Sequence, residues 1–123
     1  MLDTNALVAL LRGHQGLLAL TKEAEWLGVS VINILEFLGF DGLSNSDRDL
    51  LATFVARIHT VDLRHSDQAL MQRIADVRKR KAVKLPDAIV LASAALHNAT
   101  LLTNDSQLLK LAQDNTAFSL QAF

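Results

Sequence analysis

Cysteine is absent from the 123 residues. That removes disulfides, thiolate zinc sites and cysteine nucleophiles together, and it fits a reducing compartment. Proline occurs once, at Pro86, and half the residues are hydrophobic, which excludes a disordered composition. Neither charge sign dominates: 12 Lys and Arg against 13 Asp and Glu leave a net charge of −1. A nucleic-acid partner must therefore meet a local basic patch, since no global basic field exists. Aromatics are few, with five Phe, one Trp and no Tyr. A base-stacking platform is thus poorly supplied, and Trp26 is expected in the core or an interface. Long hydrophobic runs are missing too. The run Ala6–Leu11 is too short for a membrane span or a signal-peptide core, and no basic residue precedes it. The expectation is a soluble cytoplasmic protein with no membrane contact, forming one domain over residues 1–123 with a real core.

What is present alternates. Apolar or β-branched runs at 1–3, 29–31, 60–63, 100–102 and 117–120 read as strands. The intervening spacing predicts helices over 5–12, 16–26, 32–39 and 86–98. Ser46, with Asp49 three residues on, Ser66 and Ser106 read as N-caps of three more. Leu50, Phe54 and Ile58 recur at helical spacing, Leu70, Ile74 and Val77 share one face, and the last helix carries Leu108, Leu109 and Ala112. Residues 86–98 are apolar nearly all round, as a helix buried on several sides would be. Strands alternating with helices imply an α/β fold, with a parallel sheet covered on both faces. In such sheets ligands bind beyond the carboxyl ends of the strands.

Acids collect at that edge. Asp3 ends the first strand, Glu36 lies about a turn into the helix after the second, and Asp105 follows the fourth in LLTNDS. Asp87 stands in KLPDAIVLASA, where the local pattern reads as a helix start: proline suits the first helical position, and an acid in the first turn suits the dipole. Simple alternation puts that start at the opposite edge. An extra helix at 66–81 resets the direction, so topology permits Asp87 to join the others without forcing it. Glu36 lies in VINILEFLGF among apolar or amide neighbours, the setting of a paired or liganded acid. Asp47, Asp49, Asp67 and Asp76 read as caps or solvated helix faces. Converging carboxylates repel one another, and cations offset the cost. With oxygen ligands and no cysteine, the fitting ion is Mg²⁺, or Mn²⁺ in its place. Two such ions roughly 3.5–4 Å apart suit a phosphoryl displacement. Just before Asp87, RKRKAVK supplies Arg78, Lys79, Arg80, Lys81 and Lys84 as candidate RNA contacts, although basic residues equally suit a solvated helix end. Arg12 is a further candidate.

The stretches LDTNALVALLRG, VSVINILEFLGF, KLPDAIVLASAAL and LLTND, in that order from residue 2 to about 112, resemble the PIN-domain ribonucleases. Within them the likeness is to the small toxins of VapBC-type toxin–antitoxin systems. The resemblance implies a three-layer α/β/α PIN-like fold with a central, mostly parallel five-stranded sheet, and metal-dependent endoribonuclease activity. It carries Asp3, Glu36, Asp87 and Asp105 over as the acidic, metal-holding cluster, with Asn5 and Thr103 as polar support that orients ligands and waters. It implies products with a 5′-phosphate and a 3′-hydroxyl, a homodimer, and a small antitoxin whose segment inserts near the acidic groove. Two departures stand out. Only Met1 and Leu2 precede Asp3, where the family has several apolar residues, so the central strand is expected to be short. Asn33 stands where a hydroxyl residue is common.

Other readings fit less well. A haloacid-dehalogenase-type phosphatase needs an acid at position 5, which is Asn5, and a receiver domain needs an early adjacent acidic pair. GVSVI lacks the second glycine of a serine-hydrolase elbow. The histidines at 14, 59, 65 and 97 have no metal-binding spacing. The non-enzyme alternative is a PIN-like module that grips RNA or protein without cutting.

Overall fold

The computed structural model describes residues 1–80, 83–114 and 117–123. Its elements in chain order are α1 (Thr4–Leu11), α2 (Gln15–Glu23), β1 (Gly28–Ser30), α3 (Val31–Leu38), α4 (Asn45–Val55), β2 (His59–Val61), α5 (Gln68–Arg78), α6 (Leu85–Leu96), β3 (Leu101–Leu102), α7 (Ser106–Gln113) and β4 (Leu120–Gln121). β1 pairs in parallel with β2, and β3 with β4. Leu2 joins the two pairs through parallel bridges to Val29 and Leu102. The order across the sheet is therefore β2, β1, Leu2, β3, β4, five parallel segments as expected. The central segment, expected over 1–3, is reduced to one bridged residue. It is held by Leu2 N–H donating to Gly28 O (2.9 Å), Leu102 N–H to Met1 O (2.8 Å) and Asp3 N–H to Leu102 O (3.0 Å).

The pleat sorts the core into two layers. Met1 and Leu101 pack on one face with Leu70, Ile74 and Val77 of α5 and the buried length of α6. Their neighbours Leu2 and Leu102 pack on the other with Ala6, Leu7 and Leu10 of α1, Leu17 of α2 and Leu51 of α4. Helices thus cover both faces, and the fold is the three-layer α/β/α arrangement. Every residue from Ala88 to Ala94 is buried, as the apolar run implied, and the hidden Ser93 hydroxyl is satisfied by donating to Ile89 O at 2.7 Å. No helix among the described residues is long and apolar enough to cross a membrane.

Helix ends correct the sequence reading. α4 is capped by Ser44, in a reciprocal box with Asp47, and not by Ser46; α5 by Asp67 and not Ser66; α7 by Asp105 and not Ser106. Each cluster offers adjacent capping residues, and the incoming chain decides which one first faces the bare N–H groups. Leu50, expected on the apolar face of α4, is turned outward at 49% exposed, and Leu51 takes the core position. β4 begins at Leu120, later than the expected 117–120 run, although Phe118 is buried. α2 stops at Glu23, short of Trp26. α1 and α6 both end in a residue at positive φ, Gly13 (φ 86°) and Asn98 (φ 50°). In each the next N–H bonds back to the helix: His14 N–H to Ala9 O, Ala99 N–H to Ala94 O. The α6 end delivers the chain into β3.

Trp26 packs against the core, and its ring stacks between His59 (5.6 Å between centroids) and His97 (5.0 Å). The indole covers Gly28, where an added Cβ would collide with the ring. Gly28→Ala is expected to lose about 1–3 kcal/mol of stability in urea unfolding. In a Trp26→Ala background the same substitution should cost far less; an equal cost in both backgrounds would assign the constraint elsewhere.

Candidate active site

Asp3 is the buried acid, 8% exposed, and its carboxylate is held on both sides. Oδ1 accepts from Thr4 N–H (2.9 Å) and Asn33 Nδ2 (3.3 Å), and Oδ2 accepts from the Thr103 hydroxyl (2.6 Å). Thr103 is fully buried, and its oxygen in turn accepts from Asn5 Nδ2 (3.3 Å) and Asp105 N–H (3.0 Å). One proton given and two bonds received exhaust a hydroxyl. Asn5 does not touch the acids; it spans Thr103 and the backbone N–H of Asn104 (3.1 Å). Asp105 spends Oδ1 on the N–H groups of Gln107 and Leu108, which start α7. Glu36 is exposed, because α3 turns Asn33 and Phe37 inward and Leu35 and Glu36 out. Its Oε1 accepts from the Thr4 hydroxyl at 3.0 Å.

Asp87 lies in the first turn of α6 and is half-buried. Burial pushes its carboxyl above the usual carboxylate range, and the charges of Asp105, Asp3 and Glu36 push it the same way, while Lys84 pulls it back. The other three acids are thus within electrostatic reach of Asp87, at the edge where Leu2, β1 and β3 end. The extra helix α5, packed on α6, brings Asp87 there. The residues fit a hard divalent cation: the donors are carboxylate oxygens, the bonds above engage only one oxygen each of Glu36 and Asp105, and a cation would relieve the repulsion that Asp87 feels. Among the described residues, however, no three His, Asp or Glu side chains stand as a finished metal-ligand set. Four like charges repel, and Glu36 and Asp105 answer instead to the Thr4 hydroxyl and the α7 backbone.

The family model of the PIN domain matches residues 1–114. The chain belongs to the PIN-domain family. It is similar to a toxin–antitoxin complex from Klebsiella pneumoniae, with 26% identity over 86% of each chain and a TM-score of 0.69. It is also similar to VapBC2 from Rickettsia felis bound to a promoter DNA fragment (21% identity, 100% of this chain and 97% of that one, TM-score 0.77). VapBC-1 from nontypeable Haemophilus influenzae is a third similar structure (18% identity, 99% and 96%, TM-score 0.75). The last two likenesses concern the fold alone. Comparison with curated proteins gave no match.

In this PIN domain, among the described residues of the basic run, Lys84 is the one whose charge acts on Asp87. Arg78 donates to Val83 O at 2.9 Å and ties the α5–α6 connection, Lys79 lies 3.9 Å from Asp76 on the solvated face of α5, and Arg80 covers the Phe118 ring. Lys81 is outside the described residues. Arg12 lies beside Asp47 and lines a groove of about 1040 Å³ with Val8, Phe37, Phe40 and Leu50. Asn5 and Asn104 line the same groove, so it adjoins the polar support of the acids. Three contributors were missed as site residues. Thr4 and Asn33 hold Asp3 and Glu36, and Asn104 Oδ1 accepts from Phe123 N–H at 2.8 Å.

Thr103→Val keeps the shape and removes the hydroxyl, so it should cost about 1.5–3 kcal/mol in denaturant unfolding, the range for a bond to a charged group. Wild-type stability would contradict the bonding scheme. Asp87 gives a pH signature. Its raised pKa means that the ionised group destabilises the fold above that pKa, and the penalty disappears as pH falls to the ordinary carboxylate value. Asp87→Asn should therefore raise the melting temperature in EDTA at neutral pH, with the gain shrinking on acidification. A gain that grew on acidification would reverse the account.

Proposed function

We propose that this PIN domain is a Mg²⁺- or Mn²⁺-dependent endoribonuclease and the toxin of a type II toxin–antitoxin pair, acting in the cytoplasm. The observation that supports the reading is that Asp105, Asp3 and Glu36 all act on Asp87: burial first, and then these three charges, hold its carboxyl above the usual carboxylate range. A fold keeps such a destabilising arrangement most readily where a cation completes it.

Asp3, Glu36, Asp87 and Asp105 would hold the ion. When bound, it supplies Lewis acidity, neutralising charge on a phosphodiester and making water a stronger nucleophile at neutral pH. The chain's own part is positioning. Thr103 and Asn5 fix Asp3 against β3, and the α7 backbone fixes Asp105. Lys84, at the N-terminus of α6, offers a cation to the RNA backbone beside Asp87, and Arg12 does so from the groove. Arg78, Lys79 and Arg80 also have partners within the chain, in Val83 O, Asp76 and the Phe118 ring. The groove, with exposed Phe40 and Leu50, suits an apolar antitoxin segment running toward the acids, and a second copy of the chain completes the expected homodimer. The similar toxin–antitoxin complex from Klebsiella pneumoniae supports this partner class.

One rival is a PIN module that binds without cutting, since no finished ligand set stands among the described residues. A single assay separates the two. Purified protein should cleave end-labelled RNA with Mg²⁺ or Mn²⁺ and stop with EDTA. Asp87→Asn should lose more than about a hundredfold in rate, beyond the loss typical of outer partners of a metal site. RNA binding without cleavage in either metal would establish the rival.

A further inference from the structure

Asn33 is fully buried on α3, and its two ends are treated unequally. Nδ2 uses both hydrogens, one on Asp3 Oδ1 (3.3 Å) and one on Thr4 Oγ1 (3.0 Å). Oδ1 has no hydrogen-bond partner, and among the described residues it is the buried side-chain atom left so. Reversing the amide would set its oxygen against the Asp3 carboxylate, so the charge of Asp3 fixes the orientation. The stranded oxygen is a standing cost, offset by what the nitrogen does.

The nitrogen acts on two acids. By occupying a lone pair of Thr4 Oγ1, it leaves the Thr4 proton for Glu36 Oε1, 3.0 Å away. Thr4 N–H also donates to Asp3 Oδ1. A relay thus runs from Asn33 directly to Asp3, and through Thr4 to Glu36. A threonine or serine at position 33 has one hydrogen to give, enough for one leg only. The amide is the side chain of this size that serves both.

We propose that Asn33 is a positioning residue: through its two-pronged Nδ2 and the Thr4 hydroxyl it locks Asp3 and Glu36 in one relative geometry and so sets the affinity of the acidic edge for a divalent cation. The inference rests on the reading of these acids as cation-holding groups.

The test is Mn²⁺ binding to the full chain, followed by electron paramagnetic resonance and by calorimetry, with no RNA present. Asn33→Leu, which conserves bulk and removes both donors, should weaken binding about tenfold or more, as loss of outer partners of a metal site does. Asn33→Thr should fall between Leu and wild type, since it restores one donor. A merely space-filling role predicts the opposite order, with the bulkier Leu nearer to wild type. If Asn33→Leu does not fold, Thr4→Val, at a half-buried position, breaks the Glu36 leg alone and should weaken binding by a smaller factor. Wild-type affinity in Asn33→Leu, or in Thr4→Val where Leu does not fold, would overturn the positioning role while leaving the cation reading intact. No saturable Mn²⁺ binding to the wild-type chain would overturn both.

Discussion

The Asp3 carboxylate holds a negative charge at the end of the central sheet segment with only 8% of the residue exposed, and the polar interior is arranged around that charge. A buried carboxylate is tolerated when donors saturate it. Here the donors come from three separate parts of the chain: Thr4 beside it, Asn33 on α3 and Thr103 after β3. Each donor then recruits others. Thr103 takes in Asn5 and the start of α7, Thr4 takes in Glu36, and Asn104 fastens Phe123 at the groove. Solvating one charge therefore fixes the position of α1, α3 and α7 relative to one another at the sheet edge.

Apolar packing supplies what that network cannot, the position of Asp87. No hydrogen bond ties it to the other acids; it is carried there by α6. Seven consecutive buried residues seat that helix against α5 and the sheet, and the turn at Asn98 sends the chain on into β3. The repulsion at Asp87 is thus opposed by burial along the whole helix, each large apolar side chain contributing about 1.5–3 kcal/mol. A stable apolar frame holds a locally unfavourable charge arrangement, which is how active sites commonly differ from the rest of a fold.

The sequence showed some of this and hid the rest for physical reasons. α6 was legible because Pro86 marks its start and its apolar run is continuous, and the buried face of α5 because Leu70, Ile74 and Val77 keep helical spacing. The two-faced sheet followed from alternation. The helix starts did not: Ser44 against Ser46, Asp67 against Ser66 and Asp105 against Ser106 are locally equivalent, and the arriving chain decides. The exposure of Glu36 was not legible, because neighbours in sequence are not neighbours on a helix face. Thr4 and Asn33 were hidden as site residues because their role exists only when α1 and α3 meet. Asn33 and Asp3 are 30 residues apart, Thr103 and Asp3 100, and no local pattern records such a contact. The acids themselves were read from strand ends and from resemblance, and the separate partners of the basic run were not legible because sequence adjacency says nothing of which way each side chain turns.

The PIN-domain membership, the acidic edge and the adjoining groove belong to one proposed account: a stable α/β/α frame presents carboxylates whose repulsion at Asp87 a cation would relieve. Anomalous diffraction at the manganese edge, from crystals soaked in Mn²⁺, tests it most directly. The account requires a peak bounded by carboxylate oxygens from Asp3, Glu36, Asp87 and Asp105, with Glu36 or Asp105 shifted from its present hydrogen bonds to reach it. Ordered manganese only elsewhere, with those bonds unchanged at full soak, would contradict it.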